Sequence, residues 1–365
     1  MMSRTINFYA GPSVLPVGVL KKIQEEMVDY QETGLSLMET SHRSQAYDEV
    51  HNEAVTLLKE LLSIPDNFKV LFLGGGATLQ FSMIPLNFLH GERTCDFTLS
   101  GAWAKKAYAD AVKIGTAHIV FDGAHDGYSS LMDSTLLKVN PDAAYLHMTS
   151  NETIQGVQWK DWPETNGVPI VCDMSSDILS RPIPIEKFGL IYAGAQKNLG
   201  PSGVTIVIIR DDMAANCPDS LPAYINYRTH IEKNSLYNTP PVFPIYAMKL
   251  VLERMKAYGG LDAMVEHNRK KAHLLYTTID ASKHFYRCPV YPEYRSDMNV
   301  VFRLPNESLE KTFIEEAFAQ RMVGLKGHSS VGGCRASIYN SMTYKGVKQL
   351  ADFMINFANK YKDIK

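Results

Sequence analysis

The sequence lacks any marked imbalance of charge. It has 37 Lys and Arg against 39 Asp and Glu in 365 residues, which gives a formal net charge of −2. A chain so close to neutrality has no overall field that would attract nucleic acid or a membrane surface. From this composition we expect small-molecule partners, with no nucleic acid and no membrane, and an anionic ligand would need a local basic pocket.

Long apolar runs and cysteine motifs are also missing. No apolar stretch approaches transmembrane length, and the first residues have no continuous apolar core of the kind found in signal peptides. The cysteines are odd in number and show neither CxxC nor Cys/His spacing, so we expect reduced thiols, no metal site and a cytoplasmic setting. They are Cys95, Cys172, Cys217, Cys288 and Cys334.

The sequence does contain an alternation of short apolar runs with helical stripes. Several of the runs are apolar on both faces, which is typical of a largely parallel sheet covered by helices and predicts an α/β fold. These predicted strands are 69–73, 94–99, 117–121, 143–148, 169–172, 189–193 and 204–209.

Two domains are expected for a chain of this length. The pattern predicts a large domain over 17–260 and a small α+β domain over 261–365, joined by residues 1–16. Within the small domain, an amphipathic helix is predicted over 309–322.

One lysine stands out. Lys197 follows the apolar run 189–193 and lies in a glycine-rich turn before the next apolar run. A lysine enclosed in this way is partly desolvated, which favours its neutral, nucleophilic amine. Such an amine can form a Schiff base with an aldehyde, the chemistry that anchors pyridoxal phosphate. Taken alone, a solvated surface lysine is the more common explanation of such a residue.

Two further features lie next to predicted strands. Asp173 ends the run 169–172, where a carboxylate can pair with a pyridinium nitrogen or, more simply, cap a helix. The turn 74–78 offers glycines and a helix N-terminus to a phosphate, although it is also compatible with a tight turn that binds nothing. It matches neither GxGxxG nor the P-loop, so a nicotinamide-dependent oxidoreductase is disfavoured.

Other candidate residues carry little weight one at a time. Each has a chemical use, namely ring stacking, hydrogen bonding or an anion contact, and each has an ordinary structural alternative. They are Trp103, Thr153, His42, Arg43, Arg335, Asn238 and Thr239.

Taken in order, these blocks resemble the phosphoserine aminotransferases, class-V members of the fold-type I pyridoxal-phosphate enzymes. The resemblance covers almost the whole chain, from 7–12 to 335–340. Its strongest blocks are 38–43, 150–153, 173–176, 194–198 and 237–241. It implies the fold-type I architecture, with a mostly parallel central sheet in the large domain and a smaller α+β domain at the C-terminus.

The resemblance also implies roles for individual residues. Lys197 would be the catalytic residue and would hold pyridoxal phosphate as a Schiff base, with Asp173 on the pyridine nitrogen, Trp103 stacked on the ring and Thr153 on the phenolic oxygen. The cofactor phosphate would contact Ala77, Thr78 and Gln196, with Asn238 and Thr239 from the second subunit of a homodimer. The substrate would be bound by His42, Arg43, His328 and Arg335.

The implied reaction is a two-step transamination in serine biosynthesis. Glutamate donates its amino group and leaves as 2-oxoglutarate, and 3-phosphohydroxypyruvate then accepts the group to become O-phosphoserine. Both substrates carry an α-carboxylate and a distal anion, so one pocket with basic groups at both ends suits both. Related enzymes also transaminate a phosphorylated hydroxythreonine in vitamin B6 synthesis, and the sequence leaves this use open.

One departure from the family pattern bears on substrate binding. Ser329 follows His328 where most members have an arginine. Because a charge-assisted contact contributes roughly 1.5–3 kcal/mol, loss of this cation predicts affinity for a phosphorylated substrate about ten- to a hundred-fold lower. Lys326 and His328 are the candidates to compensate. The alternatives are an aminotransferase for another amino acid, for which Ser329 is the one argument, and a scaffold without chemistry, against which Lys197 and Asp173 argue.

Overall fold

A seven-stranded sheet forms the centre of the structure, a computed structural model that describes residues 4–362. The strands are β1 (Ile6–Asn7), β2 (Phe68–Leu73), β3 (Thr94–Leu99), β4 (Thr116–Asp122), β5 (Leu146–Thr149), β6 (Ile170–Asp173), β7 (Phe188–Gly194), β8 (Thr205–Arg210), β9 (Asn299–Phe302), β10 (Met322–Val323) and β11 (Cys334–Ser337). The α-helices are α1 (Val17–Glu26), α2 (Gln45–Leu62), α3 (Gly76–Phe88), α4 (Ala102–Ala111), α5 (Asp211–Ala214), α6 (Tyr227–Glu232), α7 (Val242–Ala257), α8 (Gly260–Asp280), α9 (Glu307–Ala319) and α10 (Tyr344–Tyr361).

The large sheet has the strand order β2-β8-β7-β6-β5-β3-β4. Strands β4, β3, β5, β6 and β7 pair in parallel, whereas β8 is antiparallel to both β7 and β2. The short connection 195–204 explains the exception, because a parallel return would need a longer crossover. The predicted α/β fold with a largely parallel sheet is confirmed.

Both faces of this sheet are buried except at the edge strand β4, most of which is exposed or half-buried. Successive side chains of a strand point to opposite faces, and in β2 the pair Val70 and Phe72 packs on one side while Leu71 and Leu73 pack on the other. The first side is covered mainly by α2 and α7, and the second by α3 and α4. Polar residues at the carboxyl ends of the central parallel strands therefore lie at one edge of a sheet that is covered on both faces there.

A separate hydrophobic cluster forms around α8, α9, α10 and the antiparallel pair β9–β11. The N-terminal segment joins it, since Phe8 is fully buried there and β1 pairs in parallel with β10. Sequence from both ends of the described chain thus packs in one core.

The helix predicted over 309–322 was wrong at its C-terminal end. Helix α9 stops at Ala319, and Arg321 has a left-handed backbone conformation with φ of +63° that a continuing helix does not allow. Met322 then enters β10 and pairs with Ile6. This strand depends on a partner far away in sequence, and such pairing leaves no local pattern.

Three further observations concern residues 4–362 as a whole. None of the helices there is both long and apolar enough to cross a membrane. The same residues contain no group of three or more His, Cys, Asp or Glu side chains placed to hold a metal ion. All five cysteines are unpaired thiols, and burial raises the pKa of Cys95 to about 12.

Candidate active site

Lys197 lies just beyond the carboxyl end of β7, in the connection to β8. Its backbone carbonyl accepts a hydrogen bond from the Ser13 hydroxyl, and the Ser13 N–H donates to the carbonyl of Gln196 at 2.9 Å. The N-terminal loop therefore closes over this turn and leaves the lysine only partly exposed. The side chain of Gln196 lies against Gly194.

The Lys197 amine points into the protein. Its Nζ donates to Thr153 Oγ1 at 2.6 Å and lies 5.0 Å from the centroid of the Trp103 ring. Burial lowers the pKa of this amine, while the carboxylates of Asp173 and Glu152 oppose the shift. A lysine with its pKa lowered in this way has more of the neutral amine that attacks a carbonyl carbon.

Asp173 is the last residue of β6 and is buried. One of its oxygens, Oδ1, accepts the N–H of Ser175 at 2.8 Å. Burial raises the pKa of its carboxyl, and the positive charge of Lys197 lowers it again. The carboxylate and the amine thus share one desolvated space at the carboxyl edge of the parallel strands, where ligands of open α/β sheets bind.

Trp103 is in the first turn of α4. Its backbone N–H donates to Glu152 Oε2 at 3.0 Å, and the backbone N–H of Ala104 donates to Glu152 Oε1 at 2.9 Å. Glu152 itself is fully buried, and this burial raises the pKa of its carboxyl to about 7 although both N–H groups act to lower it. The carboxylate thus anchors the helix end that carries the indole.

The turn 74–78 forms the N-terminus of α3, as the sequence predicts. Gly75 has φ of +84°, and the first intrahelical bond runs from Leu79 to the carbonyl of Gly75 at 3.2 Å. The N–H groups of Ala77 and Thr78 come before that bond and therefore make no hydrogen bond within the helix. Together with the helix dipole, they favour an anion at this end.

Arg335, on β11, contacts the cluster that contains Lys197 and Thr153. Its Nη1 donates to the carbonyl of Thr153 at 3.2 Å, while its buried Nε has no hydrogen-bond partner. Burial lowers the pKa of this guanidinium. A buried donor without a partner is costly and suits a ligand that supplies an acceptor.

A cavity of about 250 Å³ adjoins Arg335. Three other basic side chains line it: His328, Arg287 and Arg303. Of these, Arg303 is paired with the buried carboxylate of Glu310 at 2.6 Å. The cavity therefore carries an excess of groups that attract anions.

The structure brings some predicted residues together and leaves others apart. Lys197, Asp173, Trp103, Thr153 and Arg335 form one cluster. The remaining side chains make no recorded hydrogen bond or ion pair to it in the described part of the chain: Ala77, Thr78, Gln196, His42, Arg43, Asn238, Thr239 and His328. Of these, Arg43, Thr78, Asn238, Thr239 and His328 are exposed, and His328 Nδ1 is 2.7 Å from Ser330 Oγ.

Comparison with known proteins assigns the family. The profile of the family described as aminotransferase class-V matches residues 5–350. The chain belongs to the class-V aminotransferases. A phosphoserine aminotransferase of Lysinibacillus sphaericus is 51% identical to it over 362 residues, 99% of this chain and all of that one.

Solved structures agree with this class-V assignment. A phosphoserine aminotransferase of Bacillus circulans subsp. alkalophilus superimposes with a TM-score of 0.96 and 50% identity, over 98% of this chain and 99% of that one. A phosphoserine aminotransferase of Trichomonas vaginalis with bound pyridoxal phosphate has a TM-score of 0.89 and 36% identity, over 96% of this chain and all of that one.

Two residues near the cluster of this class-V aminotransferase were not singled out from the sequence. Glu152 lies 49 positions from Trp103, and no local pattern connects them. Tyr339 donates from its hydroxyl to the carbonyl of Ala10 at 2.7 Å, and burial raises its pKa to about 12. The sequence offered no local signal for Glu152, which lies in the loop after β5 and not at the end of a strand.

Proposed function

We propose that the chain is a pyridoxal-phosphate-dependent phosphoserine aminotransferase. It transfers an amino group from glutamate to 3-phosphohydroxypyruvate in serine biosynthesis, and the reaction is reversible. The observation that carries the proposal is the position of the Lys197 amine, which lies against Trp103 and Thr153 beside the carboxylate of Asp173. The similarity to phosphoserine aminotransferases over the full chain length supports the same substrate.

The residues present fit pyridoxal phosphate. The N–H groups at the start of α3 that make no bond within the helix suit its phosphate, and Gln196 would add a further contact. The Trp103 indole is half-buried and presents a face for stacking, and Asp173 is an anion buried deeply enough to hold a proton on a pyridine nitrogen. Lys197 supplies the amine for covalent attachment.

The bound cofactor supplies an electron sink for the pair of electrons left when the substrate Cα loses its proton. Around it, each residue has a physical task. Asp173 keeps positive charge on the pyridine nitrogen, Thr153 donates to the phenolic oxygen, and the Nζ of Lys197 moves the proton from Cα. Arg335 binds the α-carboxylate and so sets the direction in which Cα points.

The distal anion needs its own basic groups. We place His328 on it from this chain, with His42 and Arg43 from the second subunit of a homodimer. Asn238 and Thr239 of that subunit would complete the site for the cofactor phosphate. Exposed apolar side chains support this interface, since Val28, Leu35 and Met38 are 80%, 50% and 52% exposed in the segment leading to His42.

The domain boundaries and the cellular location belong to the same proposal. We assign residues 17–260 to a large domain and residues 261–365, with 1–16, to a small one, supported by the separate hydrophobic cluster around α8, α9 and α10. We assign the enzyme to the cytoplasm, supported by its five unpaired thiols.

A spectroscopic test addresses the cofactor. The purified protein should absorb visible light, and borohydride should fix the cofactor on the peptide that contains Lys197. Lys197→Ala should fold and lose turnover. A protein that stays colourless with added pyridoxal phosphate would contradict the proposal.

A substrate comparison addresses specificity. With 2-oxoglutarate as acceptor, phosphoserine should be a far better donor than serine, alanine or aspartate. Equal rates with phosphoserine and serine would rule out the assigned substrate.

Ser329→Arg tests the departure from the family. The added cation should raise kcat/KM for phosphoserine by about tenfold, as expected for one charge-assisted contact. Ser308→Arg, on the exposed surface of α9, adds the same charge outside the cavity and should change nothing. An unchanged Ser329→Arg enzyme would mean that the basic groups already lining the cavity suffice.

A further inference from the structure

Glu152 is a fully buried carboxylate for which the proposed reaction has no direct use. Both of its oxygens are occupied by N–H groups in the first turn of α4, those of Trp103 and Ala104. The preceding N–H, that of Ala102, donates to Gln155 Oε1 at 3.3 Å. Three consecutive N–H groups of one helix end are thus held by the loop that also carries Thr153.

The helix end is shaped to receive this carboxylate. A Cβ on Gly101, directly before α4, would lie 2.6 Å from Glu152 Cδ and 2.7 Å from Gln155 Oε1. Only glycine leaves room for the acid beneath the helix. A negative charge at a helix N-terminus is also electrostatically favourable, and charged hydrogen bonds are stronger than neutral ones.

The indole of Trp103 has no polar anchor of its own. Its Nε1 is buried without a hydrogen-bond partner, so no side-chain hydrogen bond fixes the orientation of the ring. Cations lie near the ring, with Lys106 Nζ 4.3 Å and Lys197 Nζ 5.0 Å from its centroid. The direct polar contact that places Trp103 is the bond from its backbone N–H to Glu152.

We propose that Glu152 is a positioning residue that holds the N-terminus of α4 and thereby sets the plane of the Trp103 indole against the cofactor ring. The proposal rests on the stacking role assigned to Trp103 above. Glu152 touches neither substrate nor reacting atoms. It acts through the helix, and its effect on cofactor binding therefore depends on the indole being present.

The first test uses the protein without cofactor. The near-UV circular dichroism of the apoprotein is compared with that of Trp103→Phe to obtain the contribution of this indole. Glu152→Ala should lose most of that contribution, and Glu152→Gln, which keeps one acceptor, should lose part of it. Thr343→Ala removes the cap of α10, a hydrogen bond of 3.1 Å to the Gly346 N–H, and should leave the signal unchanged.

The second test is a double-mutant cycle on the affinity for pyridoxal phosphate. Glu152→Ala should weaken binding ~10- to 100-fold in the wild-type background but less than ~3-fold in the Trp103→Ala background, which has no ring to stack. Equal losses in both backgrounds would overturn the proposal, as would an unchanged near-UV signal. If Glu152→Ala does not fold, Glu152→Gln decides by the same comparison.

Failure of the proposed function would look different. A wild-type protein that does not bind pyridoxal phosphate would contradict the enzyme assignment, while the apoprotein spectra would still report whether Glu152 positions the indole. A wild-type protein that binds the cofactor, with a Glu152 variant that keeps full affinity and spectrum, would contradict only the role of Glu152.

Discussion

Asp173 occupies a position that disfavours its charge. Burial raises the pKa of its carboxyl, and the compensation comes from the Ser175 N–H and from Lys197. Buried charges that are incompletely compensated are common at functional sites, where stability is lower than the fold would permit. The residue therefore offers a way to separate function from folding.

We expect Asp173→Asn to abolish turnover while the apoprotein stays as stable or becomes more stable. Asparagine still accepts the Ser175 N–H but has no charge to hold a proton on a pyridine nitrogen, and its burial costs less. Turnover should fall by at least ~100-fold, the lower range for a group that controls a proton. Steady-state assay and thermal unfolding of the apoprotein are the measurements. A clearly lower Tm would show that the residue serves the fold as a cap.

Because of Glu152, we expect the stability of the apoprotein to depend on pH. Its folded pKa of about 7 lies above the ordinary value of 4.5, so the folded state binds more protons between these values and stability falls as pH rises through that window. Wild type should therefore lose about 1–3 kcal/mol relative to Glu152→Gln between pH 4.5 and 7. Asp173 and Lys197 are present in both proteins, and their electrostatic interaction with Glu152 is part of the measured difference. Denaturant unfolding at several pH values measures it, and parallel stability curves would contradict the expectation.

The sequence predicts residues well where a local pattern marks them. Lys197 and Asp173 each follow an apolar strand, and the edge of a parallel sheet brings such positions together. Glu152 has no such mark, because its partners belong to a helix that begins at residue 102. Contacts between distant segments depend on the folded geometry, which the local sequence does not encode.

At the scale of elements, helices and central strands follow from periodicity, whereas direction and short pairings do not. Strand β8 has the same apolar character as its neighbours yet runs antiparallel to them. Strands β1 and β10 have only two residues each and exist through their mutual pairing. The start of α3 was predicted in part, since its glycines indicate the turn but do not show which ligand it binds.

Gly75→Ala should damage the start of α3 in two ways. A Cβ there meets Leu79 Cβ at 2.6 Å, and φ of +84° is strained for alanine. Gly91→Ala is a matched control, with φ of +68° and nothing within 4 Å of its Cβ, so it adds only the backbone strain of about 1 kcal/mol. Gly75→Ala should cost more stability than this and also weaken binding of pyridoxal phosphate. Calorimetry and cofactor titration test both, and equal effects of the two variants would contradict the argument.

At the scale of the whole molecule, the near-neutral charge conceals a local concentration of basic groups. Arg287, Arg303, His328 and Arg335 line one cavity, while the net charge of the chain is −2. Within residues 4–362, the side chains of His42 and Arg43 make no hydrogen bond or ion pair with these residues. If they act on the same ligand from a second subunit, neither the sequence nor one folded chain would reveal the juxtaposition.

Mixing two inactive variants tests this sharing of sites. In a mixed dimer of Lys197→Ala with the double variant H42A/R43A, one site carries both defects and the other is intact. Random exchange makes half of the dimers mixed, so activity should return to about a quarter of the wild-type value. Lys197→Ala mixed with Asp173→Asn is the control, because both residues belong to one subunit's site and no intact site forms. No recovery in the first mixture, after proven subunit exchange, would place His42 and Arg43 within their own subunit's site. Recovery in the control would contradict the assignment of Lys197 and Asp173 to one subunit's site.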